Sequence, residues 1–89
     1  MRNNRFSLSG RTIHISDELE EKIVAFCHDE LNYHINESDC ADEYDSEITA
    51  QIELLQLLGR NELADRYAKQ YREWLKENKF SLMQKYENL

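Results

Sequence analysis

Cys27, His28, Glu30, His34 and Cys40 are the side chains of this sequence that can ligate zinc or pair a thiolate with a base. On a helix, Cys27, Glu30 and His34 fall on one side, because residues three and four apart share a face. Structural zinc sites bring their ligands in pairs about two to four residues apart, and nothing like Cys-x-x-Cys occurs here. A reactive cysteine needs electropositive surroundings that lower its pKa, whereas Cys27 and Cys40 lie in the most acidic part of the chain. The stretch DCADEYDSE has neither the spacing nor the central glycine of an EF-hand calcium loop. The chain is therefore expected to hold no metal or cofactor and to catalyse nothing. Cys27 reads as a small core residue, and Glu30 with His34 as a pair one helical turn apart.

The remaining chemistry is that of carboxylates. Asp29, Glu30, Glu37, Asp39, Asp42, Glu43, Asp45 and Glu47, with Tyr44 among them, form the candidate partner-binding surface. The net charge of −7 is unevenly spread. Residues 1–14 carry Arg2, Arg5 and Arg11 and no acid, residues 15–54 carry 13 acids against Lys22 alone, and residues 55–89 carry seven bases against five acids. Such a middle segment repels phosphate, so it is not expected to bind nucleic acid directly. Its field suits a basic protein surface, including that of a nucleic-acid-binding protein, where carboxylates can stand in the places of phosphates. Crowded carboxylates also oppose compaction, and a complementary partner relieves that repulsion. The alternative is a solvated acidic loop on a structural or adaptor protein that forms a homodimer through a hairpin or helix face.

These residues must be positioned by a small fold. With 89 residues, no proline and two glycines, residues 1–89 read as one mainly α domain with a modest core. There is no apolar run of about 18 residues and no basic-then-apolar leader, which implies a cytoplasmic chain without a membrane span. Two cysteines make no disulfide framework and are expected as free thiols.

The order of elements follows from periodicity. Residues 5–15 alternate as a β-hairpin about Ser9-Gly10, pairing Phe6 with Ile13 and Leu8 with Arg11. Phe6, Leu8, Ile13 and Ile15 then share one face. A helix over 17–35 starts at a Ser16 or Asp17 cap, with Leu19, Ile23, Phe26, Cys27, Leu31 and Tyr33 as its inward stripe. Residues 36–45 are polar and acidic, and read as a surface loop.

The helix over 46–58 is apolar over more than half its circumference through Ile48, Ile52, Leu54, Leu55, Leu57 and Leu58, so it is expected at the centre of the fold, capped by Asp45 or Ser46. Gly59 ends it and Asn61 caps a third helix over 61–77, whose inner face holds Leu63, Ala64, Tyr67, Tyr71, Trp74 and Leu75. A short terminal helix over 81–88 can turn Leu82, Met83 and Tyr86 inward.

The segment LLGRNELADRYAKQY resembles the turn between the two helices of a tetratricopeptide repeat, with Gly59 and Ala64 at the spacing that turn uses. No second copy follows, so the resemblance implies a tight helical hairpin and not a solenoid. The strand RTIHI running into SDEL resembles the opening of a ribbon-helix-helix DNA-binding protein, which implies DNA contacts from Arg2, Arg5, Arg11 and Thr12. That likeness ends at Asn36, where an acidic segment and a long helical hairpin stand in place of the family's short second helix.

Overall fold

In the computed structural model, which describes residues 5–87, the strands β1 (Arg5–Leu8) and β2 (Arg11–His14) form an antiparallel hairpin. Arg2 and the end of the expected last helix, Asn88, lie outside the described residues. Phe6 pairs with Ile13 and Leu8 with Arg11, as the alternation implies. Ser9 and Gly10 take φ of 52° and 76°, the doubly left-handed turn whose twist matches that of the strands. None of Phe6, Leu8, Ile13 or Ile15 joins the buried core, and Leu8 stays 49% exposed. The radius of gyration, 15.3 Å, exceeds the value of about 12 Å for a compact chain of this length. The molecule is elongated.

Helix α1 (Asp17–Asn32) begins where the Leu19 amide donates to Ser16 Oγ at 3.0 Å. Its inward line is Glu20, Val24, Cys27, Leu31, rotated from the expected stripe. Leu19, Phe26 and Tyr33, expected inside, are 46%, 59% and 51% exposed. The apolar arc of α1 is wider than its neighbours can cover, and packing chose one edge of it. Beyond Asn32 the helix widens into a π turn (Tyr33–Glu37) that closes with Ser38 N–H donating to the Tyr33 carbonyl at 2.8 Å.

The expected loop over 36–45 is corrected in the same way. The end of the π turn and a 3₁₀ turn (Ala41–Tyr44) occupy most of it, and Ala41 is fully buried. Helix α2 (Asp45–Leu57) follows without a break and lies between α1 and α3 (Asn61–Glu77). Ile48 and Leu55 are fully buried, Ile52 and Leu54 partly, and Leu57 is 39% exposed.

Gly59, at φ 78°, closes α2 by donating from its N–H to the Gln56 carbonyl while Arg60 N–H donates to Leu55, the Schellman arrangement. Arg60 then stands directly before α3 as its N-cap, so Asn61 is the first helical residue and not the cap. Asp45 likewise opens α2 without capping it; Tyr44 is the N-cap and no side chain bonds the first amides.

Ala64, Tyr67 and Tyr71 fill the inner face of α3, with Leu63, Trp74 and Leu75 packed at its edge. Helix α4 (Lys79–Glu87) leans on α3 and buries no residue fully. Of its expected inward residues only Leu82 is half-buried, while Met83 and Tyr86 are 50% and 51% exposed. The fold is thus mainly α, a short hairpin followed by four helices. Among the described residues no helix is long and apolar enough to cross a membrane.

Candidate acidic interface

The nine expected interface residues occupy one continuous stretch. Asp29 and Glu30 lie in the last turn of α1, Glu37 ends the π turn, and Asp39 follows in a bend. Asp42, Glu43 and Tyr44 form the 3₁₀ turn, and Asp45 and Glu47 stand in the first turn of α2, where the helix dipole favours acids.

The backbone beneath them is held from several sides. Ile35, Ala41 and Ile48 are buried in the core. Asn36 Nδ2 donates to Gln70 Oε1 on α3 at 2.9 Å and to Asn32 Oδ1 at 3.0 Å, and Cys40 N–H donates to Ser38 Oγ at 3.1 Å. Tyr44 stacks on the buried ring of His34, centroids 4.1 Å apart and planes 22° from parallel.

The carboxylates fall into two groups. Asp42 accepts from Lys85 Nζ at 2.9 Å and Tyr86 Oη at 2.7 Å, both on α4, and its side chain is only 8% exposed. Burial pushes the Asp42 pKa up, but the hydrogen bonds from Tyr86 and Lys85 outweigh it and hold the carboxyl below its usual value. The bond to Asp42 in turn holds the Lys85 ammonium well above its ordinary range. Glu43 shares Lys85 at 3.2 Å, Asp45 accepts from the Tyr71 hydroxyl at 2.6 Å, and Glu30 lies 3.6 Å from His34 Nε2. Burial, reinforced by that bond to Asp45, pushes the Tyr71 phenol well above its ordinary pKa.

Asp29, Glu37, Asp39 and Glu47 are different: all four are exposed, and none of their carboxylates makes a hydrogen bond or ion pair among the described residues.

The nucleophile and ligand candidates are scattered by the fold. Cys27 is fully buried, which pushes its thiol pKa up, and Cys40 is half-buried with Sγ 3.6 Å from Ser38 Oγ. Among the described residues no group of three or more His, Cys, Asp or Glu is placed to hold a metal ion. His34 Nδ1 is buried and finds no hydrogen-bond partner among the described residues.

Two polar links escape the sequence patterns. Arg60, at the α2–α3 turn, reaches Glu20 at 3.0 Å and Glu21 at 2.6 Å on α1. Glu20 is 4% exposed although it looks like one more acid of a helix start; its spacing from Val24 and Cys27 is the signal that places it on the inner face. Tyr67 Oη shares a 2.7 Å hydrogen bond with His28 Nδ1. No protein-family model, curated protein sequence or solved structure matches this chain.

Proposed function

We propose that this chain is a non-catalytic protein-binding module, a regulator or inhibitor that presents its acidic stretch to a basic surface of a partner. The observation that carries this reading is the set of exposed, internally unbonded carboxylates of Asp29, Glu37, Asp39 and Glu47 on a backbone anchored by buried Ile35, Ala41 and Ile48 and by the Asn36 bond to Gln70. A backbone ordered before binding loses less entropy when it docks, and charges held at fixed places select a partner by pattern as well as by sign. The partner surface this suits is a phosphate-binding groove of a DNA- or RNA-binding protein, with the carboxylates in the phosphate positions. Asp42 and Asp45 act from beneath, by tying the stretch to α4 and α3, and belong to the scaffold of the surface.

The test compares the wild type with a variant carrying Asp29→Asn, Glu37→Gln, Asp39→Asn and Glu47→Gln as baits in an extract of cells that make the protein. The wild type is expected to retain a nucleic-acid-binding protein that is released by rising salt, because the attraction acts over a Debye length of about 8 Å at physiological ionic strength. The purified partner should then lose nucleic acid to the wild type in competition and keep it against the variant. Equal retention and equal competition by the folded variant would overturn the acidic-surface reading.

A further inference from the structure

Leu19, Ile23, Phe26 and Glu30 on α1 and Tyr33, the first residue beyond it, are spaced alternately by four and three residues, the repeat that keeps one seam facing a second helix. At about 100° per residue these five positions fall within roughly 80° of the helix circumference. This seam lies beside the buried line of Glu20, Val24, Cys27 and Leu31; Ile23 is partly buried against the core and Glu30 is half-buried, while Phe26, at the middle, is 59% exposed, with Leu19 and Tyr33 on either side at 46% and 51%. A large aromatic and two further apolar side chains in register on one helix form a surface that a monomer seldom leaves in water.

We infer that this face of α1 is a self-association surface, on which a second copy of the chain packs its own α1 antiparallel about a two-fold axis at Phe26. The charges along the seam select both the occupant and the direction. Lys22 flanks the seam on its solvent side, and Asp29 lies on the same flank about two turns further on. With the axis at Phe26, Lys22 stands about 6 Å from the centre along the helix and is level with Asp29 and Glu30 of the second copy, which stand about as far on the other side. Each chain thus contributes Lys22, which also lies 3.4 Å from Glu18 of its own helix, and the two acids Asp29 and Glu30, and the two symmetry-related contacts are attractive. A parallel pair instead sets Glu30 against Glu30 inside the seam, where two facing carboxylates repel.

The antiparallel pair also meets Leu19 with Tyr33 of the second copy and Phe26 with its own counterpart. It brings the hairpin end of α1, with exposed Arg11, to the end of the other helix, from which exposed Glu37 and Asp39 follow. A two-fold contact of this kind is self-complementary and closes at two chains. The contact shares Asp29, Glu37 and Asp39 with the proposed acidic surface, and the two are told apart because its readout is the mass of the protein alone and Phe26→Asp removes none of those carboxylates.

Sedimentation equilibrium of the full chain over a wide concentration range tests it. The wild type is expected to rise from the monomer mass of 10.7 kDa to twice that value. Phe26→Asp should remain a monomer where the wild type is dimeric while keeping its helical circular dichroism, since Phe26 holds no place in the core. Lys22→Glu should weaken the dimer several-fold, and Lys22→Glu combined with Asp29→Lys should recover part of that loss, because the Lys22–Asp29 pair is exchanged in sign while Glu30 stays acidic. A wild type that is monomeric throughout overturns the inference. So does a dimer that survives Phe26→Asp, which assigns the contact to the hairpin or α4, and so does a dimer indifferent to the charge at Lys22, which removes the antiparallel pairing.

Discussion

Lys85 Nζ lies 2.9 Å from Asp42 Oδ2, so the carboxylate near the middle of the acidic stretch is neutralised from within the chain, by a helix 43 residues further on. Asp42 therefore serves the fold, although its place in the sequence is indistinguishable from that of its exposed neighbours. The link also gives α4, which buries no residue fully, a polar hold on the 3₁₀ turn.

Asp42→Asn is expected to lower the melting temperature at neutral pH and to flatten its acid dependence. The pKa of Asp42 is depressed in the folded chain, so its contribution to stability is fully present above the unfolded value, about 3.9, and is lost as pH falls through the lower folded value. Thermal melts of wild type and variant from neutral pH down to about pH 2 check this; parallel curves across the acid range would show that folding does not favour the ionised form of Asp42 over the protonated one.

The two groups of carboxylates should separate in stability as well as in binding. Neutralising Asp29, Glu37, Asp39 and Glu47 together removes repulsion without removing a bond within the chain, so at concentrations where the chain is monomeric the melting temperature should hold or rise, most clearly at low salt. Asp45→Ala instead takes the acceptor from the Tyr71 hydroxyl and should cost about 0.5–3 kcal/mol. Denaturant titration of both variants measures the difference, and a loss in the first as large as in the second contradicts the division.

Arg60→Met should destabilise by about 1–3 kcal/mol, because it withdraws a cation from the buried carboxylate of Glu20. Glu20→Gln in the Arg60→Met background should recover part of that loss, since an amide is cheaper to bury than a carboxylate. A double-mutant cycle on these two positions gives the coupling directly, and a coupling near zero means that Glu20 is held by its other contacts.

Leu55→Ala should cost about 2–5 kcal/mol through the cavity left at the fully buried centre of α2. Phe26→Ala, in a side chain of greater volume, should change the stability of the monomer by no more than about 0.5 kcal/mol, because that ring lies outside the core. Urea unfolding at low protein concentration compares them, and similar losses at both sites would place Phe26 inside.

The features legible in the sequence are those built from neighbours. The Ser9-Gly10 turn and the Phe6–Ile13 register follow from alternation about a residue pair that tolerates positive φ. The Ser16 cap needs only an amide three residues on, and the Gly59 Schellman turn needs only the last turn of α2. The centrality of α2 was legible because its apolar arc is too wide for a helix with a single neighbour. Even the orderly acidic stretch could be located, though not its backbone, since Ala41 goes inside only once α2 and α3 are there to receive it.

Tertiary structure alone decided which arc of α1 turns inward, for Leu19, Phe26 and Tyr33 are as apolar as the residues that were buried, and the choice rests on where α2 can pack. It also decided which carboxylates are occupied. Tyr71 comes to Asp45 from 26 residues away, Arg60 to Glu20 from 40 and Tyr86 to Asp42 from 44, separations that no helical or strand period connects. A hydrogen bond across such a span forms only after the helices have packed, so its physical cause lies in the burial of Ile48, Leu55 and Tyr67 and not in the residues that make it.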